Sequence, residues 1–262
     1  MTSDDRNGGV KSARRALELL ELVSTYPDGV TFVELATRSD FPKSSLHGLL
    51  ATLVDMRWLM LDPSLRTYSV GVRPWEVGQA FLRSRELTMR ARQFLREANE
   101  ELGETIQLAI LDDLDVVYID KVEGTNPLRL VSNIGARLPA YVTGIGKAML
   151  AALPDDVLDQ RYAGAELEGY TARTITSGDE LLRALRRVRK RGYAEDDGEY
   201  THGVYCVAVP ITNASGETVA AMSCAVPKAR IELGELSAGR LREVLTRQAD
   251  NISAVLEHSL RA

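Results

Sequence analysis

The chain has 262 residues, of which 45% are hydrophobic, and its formal net charge is −5. This length allows one or two domains with a substantial core. The first residues, MTSDDRNGG, lack the apolar segment of a signal peptide, and no apolar run approaches the ~20 residues that span a bilayer. With only Cys206 and Cys224, a disulfide framework and a CxxC metal site are excluded, so we expect a reducing, cytoplasmic compartment.

The first part of the chain predicts two helices separated by a turn. Residues 1–10 are polar and are expected to be disordered. Ser12 can cap a helix that runs to about Tyr26, and the turn residues 27–29, Pro-Asp-Gly, follow it. Thr31 lies three residues before a glutamate, which is capping-box spacing, so the second helix should begin there.

A third helix is predicted after Pro42, because proline suits the first turn of a helix. Its buried side is a stripe of apolar residues at helical spacing: Leu46, Leu49, Leu50, Leu53 and Val54. The opposite side is small, polar and weakly basic, and consists of Lys43, Ser44, Ser45, His47, Gly48, Ala51 and Thr52. Such a side suits close approach to base edges and phosphates. The spacing alone is equally compatible with an ordinary helical hairpin in a core.

The run PKSSLH at 42–47, followed by LLATL at 49–53, resembles the DNA-binding domain of the IclR (isocitrate lyase regulator) family of bacterial transcription factors. The resemblance implies that the third helix lies in the major groove of DNA. It implies DNA contacts from the polar side of this helix, namely Lys43, Ser44, Ser45, His47, Gly48 and Thr52.

Residues 58–61 and 67–70 read as two short strands around a turn. Three helices followed by such a hairpin make a winged helix-turn-helix, which we assign to residues 11–73. Arg66, near the tip of the wing, could reach a phosphate or the minor groove, or could be a solvated turn residue. Residues 74–85 are the predicted linker helix. Apolar side chains in this helix and just after it could pack against a second subunit or against their own domain; they are Val77, Ala80, Phe81 and Leu87.

The charge of the predicted DNA-binding domain is balanced, although a basic face is usual for a nucleic-acid binder. Residues 1–75 contain nine Lys or Arg and nine Asp or Glu, so the whole negative excess lies after residue 75. The cations that could form one face are Arg14, Arg15, Lys43, Arg57, Arg66 and Arg73. Few phosphate contacts per subunit would make one subunit bind weakly, which favours a homodimer or homotetramer.

Residues 86–262 predict an α/β domain with a largely antiparallel sheet, because groups of strands alternate with helices. Strands are expected at 105–111, 115–120, 128–132, 203–211 and 217–226. Helices are expected at 86–102, 147–153, 177–191 and 235–258, the third opening with a capping box from Ser177.

The segment from Gly135 to Ala148, with TGIGKA at 143–148, resembles the effector-domain signature of the same family. Residues 191–196 and 203–210 resemble it further along the chain. The resemblance implies a GAF-like fold that holds a small molecule. The pocket residues that it implies are Leu130, Leu138, Gly144, Ile145, Asp196, Val204, Cys206, Ser223 and Ala225.

The physical chemistry of TGIGKA supports an anion site, since the free N–H groups of a helix start attract a carboxylate or phosphate. The segment lacks the first Gly and the Ser/Thr of a P-loop, which excludes nucleotide binding there. Simpler interpretations also exist. Gly144 could only form a strand-to-helix turn, Asp196 could be a turn residue before Gly198, and Cys206 could be a small buried hydrophobe.

Two other features have structural explanations. Six cations on the predicted helix 177–191 could be a second DNA surface or a solvated face near a helix C-terminus; they are Arg183, Arg186, Arg187, Arg189, Lys190 and Arg191. His202 near Asp197 and Glu199 could bind a metal, but no pair of the three histidines has ligand spacing on one helix, so we expect no metal and no cofactor.

The chain contains no G-x-S-x-G, H-E-x-x-H, S-x-x-K or Rossmann motif, so we expect no catalytic residue. Rival hypotheses are an enzyme that uses Cys206 with His202, and a module whose N-terminal domain binds protein. We predict a cytoplasmic regulator that binds an operator in double-stranded DNA. We expect a small organic acid in the C-terminal domain to modulate that binding, with no membrane partner.

Overall fold

The computed structural model describes residues 10–84, 86–125 and 133–258. The chain forms two compact units, with the boundary between residues 85 and 86. Of the predicted disordered segment only Val10 is described. The predicted strand at 128–132, including Leu130, lies outside the described residues, as do the side chains of Ala80 and Phe81. None of the helices in the described ranges is both long and apolar enough to cross a bilayer.

The first unit is a winged helix-turn-helix. Its elements are α1 (Lys11–Ser24), β1 (Val30–Thr31), α2 (Phe32–Arg38), α3 (Lys43–Asp55), β2 (Leu59–Asp62), β3 (Thr67–Val70) and α4 (Arg73–Ser84). The strands pair antiparallel in the order β1-β3-β2, so β2 and β3 form the wing. The core contains one side of each of the first three helices and consists of Leu19, Val23, Val30, Leu35, Leu46, Leu50, Leu53 and Leu59.

Of the helix caps predicted for this unit, one is confirmed and another is wrong. The capping box at Thr31 is confirmed: Glu34 N donates to Thr31 Oγ1 at 3.3 Å, and Thr31 N donates to Glu34 Oε2 at 2.9 Å. The predicted cap at Ser12 is wrong, because α1 already begins at Lys11 and Val10 precedes it without a side-chain bond. Pro42 is the N-cap residue of α3, one position before the predicted place.

The second unit is an α/β domain whose sheet is antiparallel throughout the described residues. It begins with α5 (Glu86–Leu102), β4 (Thr105–Asp112), β5 (Asp115–Val122) and β6 (Arg137–Pro139). A 3-10 turn (Ala140–Val142) leads into α6 (Gly144–Leu150), α7 (Asp155–Tyr162) and α8 (Gly178–Arg191). The chain ends with β7 (Ala194–Asp197), β8 (Val204–Thr212), β9 (Thr218–Pro227), α9 (Lys228–Glu232) and α10 (Ala238–His258). The strand order is β6-β5-β4-β9-β8-β7.

Each face of this sheet carries its own hydrophobic core. Helices α5 and α10 pack on one face, against the side chains of Ile106, Val207 and Cys224. Helices α6 and α8 belong to the core on the other face, which includes Ala208 and Ala221. Because side chains alternate along a strand, neighbouring residues of β4, β8 and β9 serve different cores. The sheet is therefore the middle of three layers.

Several boundaries in this unit differ from the predictions. Helix α6 begins at Gly144, three residues early, because Thr143 caps it: Gly146 N donates to Thr143 Oγ1 at 3.0 Å. The predicted capping box at Ser177 is wrong, since the Ser177 side chain makes no capping hydrogen bond. In the first turn of α8, the carboxylate of Asp179 accepts from Gly164 N. The turn interpretation of Asp196 is also wrong, because it lies in β7, paired with Cys206 of β8.

Candidate functional site

A cavity of about 50 Å³ lies on the α6 face of the second sheet. The start of α6, all six strands of the sheet (β4 to β9) and the loop after β7 contribute to its wall. Most residues predicted for the pocket lie on this wall, namely Leu138, Gly144, Ile145, Asp196, Val204, Cys206 and Ala225. These residues are far apart in sequence, so the strand order is what brings them together.

Ser223 lies beside the cavity and does not line it. It is buried on β9, in register with Gln107 of β4, and its hydroxyl donates to Gln107 Oε1 at 3.4 Å. Since Gln107 does line the cavity, Ser223 holds a wall residue in place. The remaining predicted pocket residue, Leu130, is outside the described residues.

The motif analysis missed five residues of the wall: Gln107, Tyr118, Thr143, Tyr200 and Thr201. Gln107 could have been found, since it is the one amide in the otherwise apolar run TIQLAI and is buried. Thr143 could have been found as the cap before the glycines. Tyr200 and Thr201 carry no such signal, because they belong to a loop that reaches the cavity only in the folded domain.

The start of α6 presents backbone donors to the cavity. Thr143 caps Gly146, so its hydroxyl leaves the N–H groups of Gly144 and Ile145 unused. Neither N–H has an acceptor among the described residues. Both residues line the cavity, and a helix start favours negative charge, so this end of the wall suits a carboxylate.

The two glycines of α6 have different reasons to be glycine. A Cβ on Gly144 would point at the cavity wall, 3.2 Å from Cys206 Sγ and 3.5 Å from Asp196 Cβ. A Cβ on Gly146 would stand 2.2 Å from the carbonyl oxygen of Ala140, which no backbone can tolerate. Gly146 therefore serves packing, whereas Gly144 keeps space beside the cavity.

The cavity also contains an acid, Asp196, which is 6% exposed. Burial raises the pKa of the Asp196 carboxyl to about 6, although the hydrogen bond from Glu199 N to its Oδ1, at 2.6 Å, opposes this rise. Burial also raises the pKa values of the Tyr118 hydroxyl and the Cys206 thiol. Both groups therefore stay protonated and neutral near pH 7.

An ion pair with little solvent exposure joins α6 to the loop after β7. Lys147 of α6 contacts Glu199 through its Nζ, and their side chains are 5% and 12% exposed. Burial raises the pKa of Glu199, and the lysine charge opposes that rise. The carbonyl of Glu199 also accepts from the Thr174 hydroxyl at 2.6 Å. The loop that contributes Tyr200 and Thr201 is thus held from two sides.

In the first unit, the polar side of α3 faces away from the core. Lys43, Ser44, His47, Gly48 and Thr52 are exposed or partly exposed, and Ser45 is half-buried. The Thr52 hydroxyl donates to the Gly48 carbonyl at 2.9 Å, so it is free mainly as an acceptor. No acid occurs on α3 before its last residue, Asp55.

Arg66 lies in the turn of the wing, with φ of +52° and an exposed side chain. The turn is closed by Asp62, whose carboxylate accepts from Ser64 N at 2.8 Å and from Leu65 N at 3.1 Å. The guanidinium therefore extends from a defined turn, which suits a contact outside the unit.

The structure gives less support to a metal site and to a second DNA surface on α8. Among the described residues, no group of three His, Cys, Asp or Glu side chains could hold a metal. On α8, Arg189 donates to the carbonyls of Ala151 and Leu153, and Arg191 donates to that of Tyr193. The other cations of α8 are exposed, so they could form a second DNA surface or a solvated face.

Comparison with known proteins assigns both units. Residues 12–63 match the family model "IclR helix-turn-helix domain", and residues 79–254 match "Bacterial transcriptional regulator IclR C-terminal". The chain is 35% identical over 226 residues to transcriptional repressor IclR of Escherichia coli, covering 86% of this chain and 82% of that protein.

Solved structures of IclR proteins are also similar to this chain. The IclR protein of Thermotoga maritima matches with a TM-score of 0.76 and 30% identity, covering 94% of this chain and 98% of that one. An IclR homologue from Microbacterium hydrocarbonoxydans, in complex with 4-hydroxybenzoate, matches with a TM-score of 0.79 over 94% of this chain and 98% of that one. Its identity of 23% makes this a likeness of fold.

Proposed function

Because the chain belongs to the IclR family of bacterial transcriptional regulators, we propose that a small organic acid binds in the cavity of its second unit and changes operator binding by its winged helix. The observation that carries this proposal is the cavity itself, where two unused N–H groups of α6 meet apolar walls. We assign residues 11–73 to the DNA-binding domain, 74–85 to the linker helix and 86–262 to the effector domain. A DNA-binding regulator works in the cytoplasm, where the bacterial chromosome lies.

The proposed DNA contacts come from one side of α3 and from the wing. Lys43 is placed for phosphates, while Ser44, Ser45, His47, Gly48 and Thr52 approach base edges in the major groove. Arg66 reaches the backbone or the minor groove from the wing. The exposure of this side, opposite a leucine core, supports the assignment.

The proposed ligand is a short carboxylic acid. The N–H groups of Gly144 and Ile145 hold its carboxylate, and the apolar side chains of Leu138 and Val204 contact its carbon atoms. About 10–15 Å³ of such space holds one water, so a cavity of about 50 Å³ has room for a ligand of a few atoms. Larger aromatic acids require the walls to move.

We propose that the protein returns this ligand unchanged. The enzyme hypothesis needs a reactive Cys206, but burial raises the pKa of its thiol, and His202 is exposed. Product analysis by mass spectrometry after prolonged incubation with the acid tests this. A converted acid would support the enzyme instead.

The test of the regulator is a titration of the full chain against fluorescent DNA from upstream of its own gene. Binding is measured with and without acetate, lactate, benzoate and 4-hydroxybenzoate. We expect nanomolar to micromolar operator binding and a shift in affinity with at least one short acid. A protein that ignores this DNA, and binds a protein partner through α3, would support the interaction module.

A further inference from the structure

The cavity places an acid where the proposed ligand carries its own negative charge. Asp196 is only 6% exposed and lines the same cavity as Gly144 and Ile145. The cavity is so small that a carboxylate on the α6 donors lies close to the carboxyl of Asp196. Two ionised carboxylates in one desolvated site repel each other strongly.

The groups around Asp196 offer little to offset this repulsion. From α6 comes Lys147, but its charge is matched by Glu199 of the loop after β7. Tyr118 of β5 and Cys206 of β8 are neutral near pH 7, because burial raises the pKa of both groups. Tyr200 of the same loop also lines the cavity. Gln107 of β4 carries no charge. Of the residues described along the cavity wall, none is a cation.

We propose that the effector anion binds together with one proton, which Asp196 takes up. This inference rests on the proposed carboxylate effector. The anion and one solvent proton enter, and the ionised Asp196 becomes a neutral carboxylic acid. No other bond forms or breaks. The protonated carboxyl then turns from a repelling charge into a hydrogen-bond donor toward the ligand, while its Oδ1 can still accept from Glu199 N.

The free protein is already close to this state, since burial raises the pKa of Asp196 to about 6. Below that pH the proton is present before the ligand arrives, and affinity should not depend on pH. Above it, each binding event must take a proton from solvent, so affinity should fall about tenfold per pH unit. Operator control by the acid would therefore be strongest in an acidified cell.

Isothermal titration calorimetry of the full chain tests this with acetate, lactate, benzoate and 4-hydroxybenzoate, between pH 5 and 8. At pH 7.5, the buffers HEPES and Tris differ in ionisation enthalpy, so titrations in the two buffers report the number of protons taken up. We expect close to one proton per ligand at pH 7.5 and close to none at pH 5. Flat affinity from pH 6 to 8 with no proton uptake would overturn the inference.

The variant Asp196→Asn distinguishes a proton that Asp196 takes up from a proton that the ligand carries. Asp196→Asn keeps the shape and the acceptor for Glu199 N but cannot bind the proton. We expect it to bind with pH-independent affinity and without proton uptake. Asp197→Asn is the matched control, since Asp197 pairs with Arg173 and Lys228 and does not line the cavity; it should behave like wild type.

Other outcomes count against the proposal. If the ligand binds as its neutral acid, affinity will fall from the ligand's own pKa upward, in wild type and in Asp196→Asn alike. If Asp196→Asn takes up the same proton, another group is responsible. Absence of binding at every pH would overturn the proposed carboxylate effector and this inference with it. It would not affect the proposal that the protein binds an operator.

Discussion

At the scale of single residues, Gly144 is the position where we expect a substitution to affect ligand binding and not DNA binding. Its missing side chain leaves room beside Cys206 and Asp196, and its N–H is one of the proposed donors to the ligand. The residue lies in the first turn of α6, where a β-branched side chain costs the helix little. A larger side chain there fills the ligand space and presses against Cys206 and Asp196, so the folding of such a variant must be measured alongside its ligand response.

We expect Gly144→Val to abolish the ligand response while operator binding persists. Allosteric coupling is typically ~1–3 kcal/mol, so the acid should shift operator affinity roughly 5–150-fold in wild type and not at all in the variant. Operator titrations with and without acid measure this, and circular dichroism checks that the variant is folded. An unchanged response in a folded Gly144→Val protein would remove Gly144 from the site.

The residues of α3 predict two distinguishable effects on DNA. His47→Ala or Ser45→Ala should change sequence preference, because a good bidentate base contact contributes ~1–3 kcal/mol of discrimination. Lys43→Ala should weaken all sequences alike and lower the salt slope by about one, because it removes one phosphate contact. Binding to a set of operator variants at several salt concentrations measures both. Wild-type behaviour in all three variants would place the groove-facing side elsewhere.

At the scale of elements, the contact between α6 and the loop after β7 holds the cavity together. Lys147 is buried and the side chain of Glu199 is only 12% exposed, so removing one partner leaves an uncompensated charge with little access to water. Such a change typically costs about 3–5 kcal/mol. The same loop carries Tyr200 and Thr201 to the cavity wall, and its stability bears directly on ligand binding.

We expect Lys147→Met to destabilise the second unit by about 3–5 kcal/mol, and the added change Glu199→Gln to restore part of that stability. Urea unfolding followed by circular dichroism measures both proteins. Arg137→Met is the control, because its pairs with Asp112 and Asp115 are exposed and should matter by less than about 1 kcal/mol. Equal destabilisation in the two single variants would contradict the importance of burial.

The elements that the sequence predicted are those with strong local patterns. The alternation of β4, β8 and β9 and the apolar stripe of α3 were visible without the structure. Strand β7, with the sequence AEDD, was not, because its pairing with β8 overrides a turn-forming composition. Helices α7 and α9 are only 8 and 5 residues long, too short for a clear period.

For the cavity, the motif around Gly144 predicted the donor end, and the resemblance supplied most of the apolar walls. Tyr118 came only with the structure, because its position on the wall depends on which strands pair. Strand order is set by contacts between distant residues, and no local spacing encodes it.

At the scale of the whole molecule, the balanced charge of the first unit favours more than one copy on DNA. A single winged helix with few phosphate contacts binds weakly, and two copies joined rigidly bind far more tightly. Helix α4 carries exposed apolar side chains for a second copy to cover, since Trp75 is 66% exposed and Val77 is 50% exposed. We propose that this helix joins the copies.

We expect at least a dimer at micromolar concentration, with operator half-sites ~34–36 Å apart or at a multiple of that spacing. Trp75→Glu with Val77→Glu should shift the mass toward monomer and weaken operator binding at least tenfold. Light scattering and footprinting measure the two quantities. Val33→Glu is the control, because Val33 is comparably exposed but lies on α2. A wild-type monomer that binds operator tightly would rule out this arrangement.

The alternation of side chains across the second sheet has a consequence for how such a regulator can evolve. Gln107, Asp196 and Cys206 face the cavity, whereas Ile106, Val207 and Cys224 belong to the core under α5 and α10. A substitution that retunes the cavity for a different acid therefore leaves the packing of the opposite layer largely unchanged. Mutations can move ligand preference by single steps without losing the folded scaffold, so duplicated copies of such a gene can diverge toward new metabolites while each intermediate still functions.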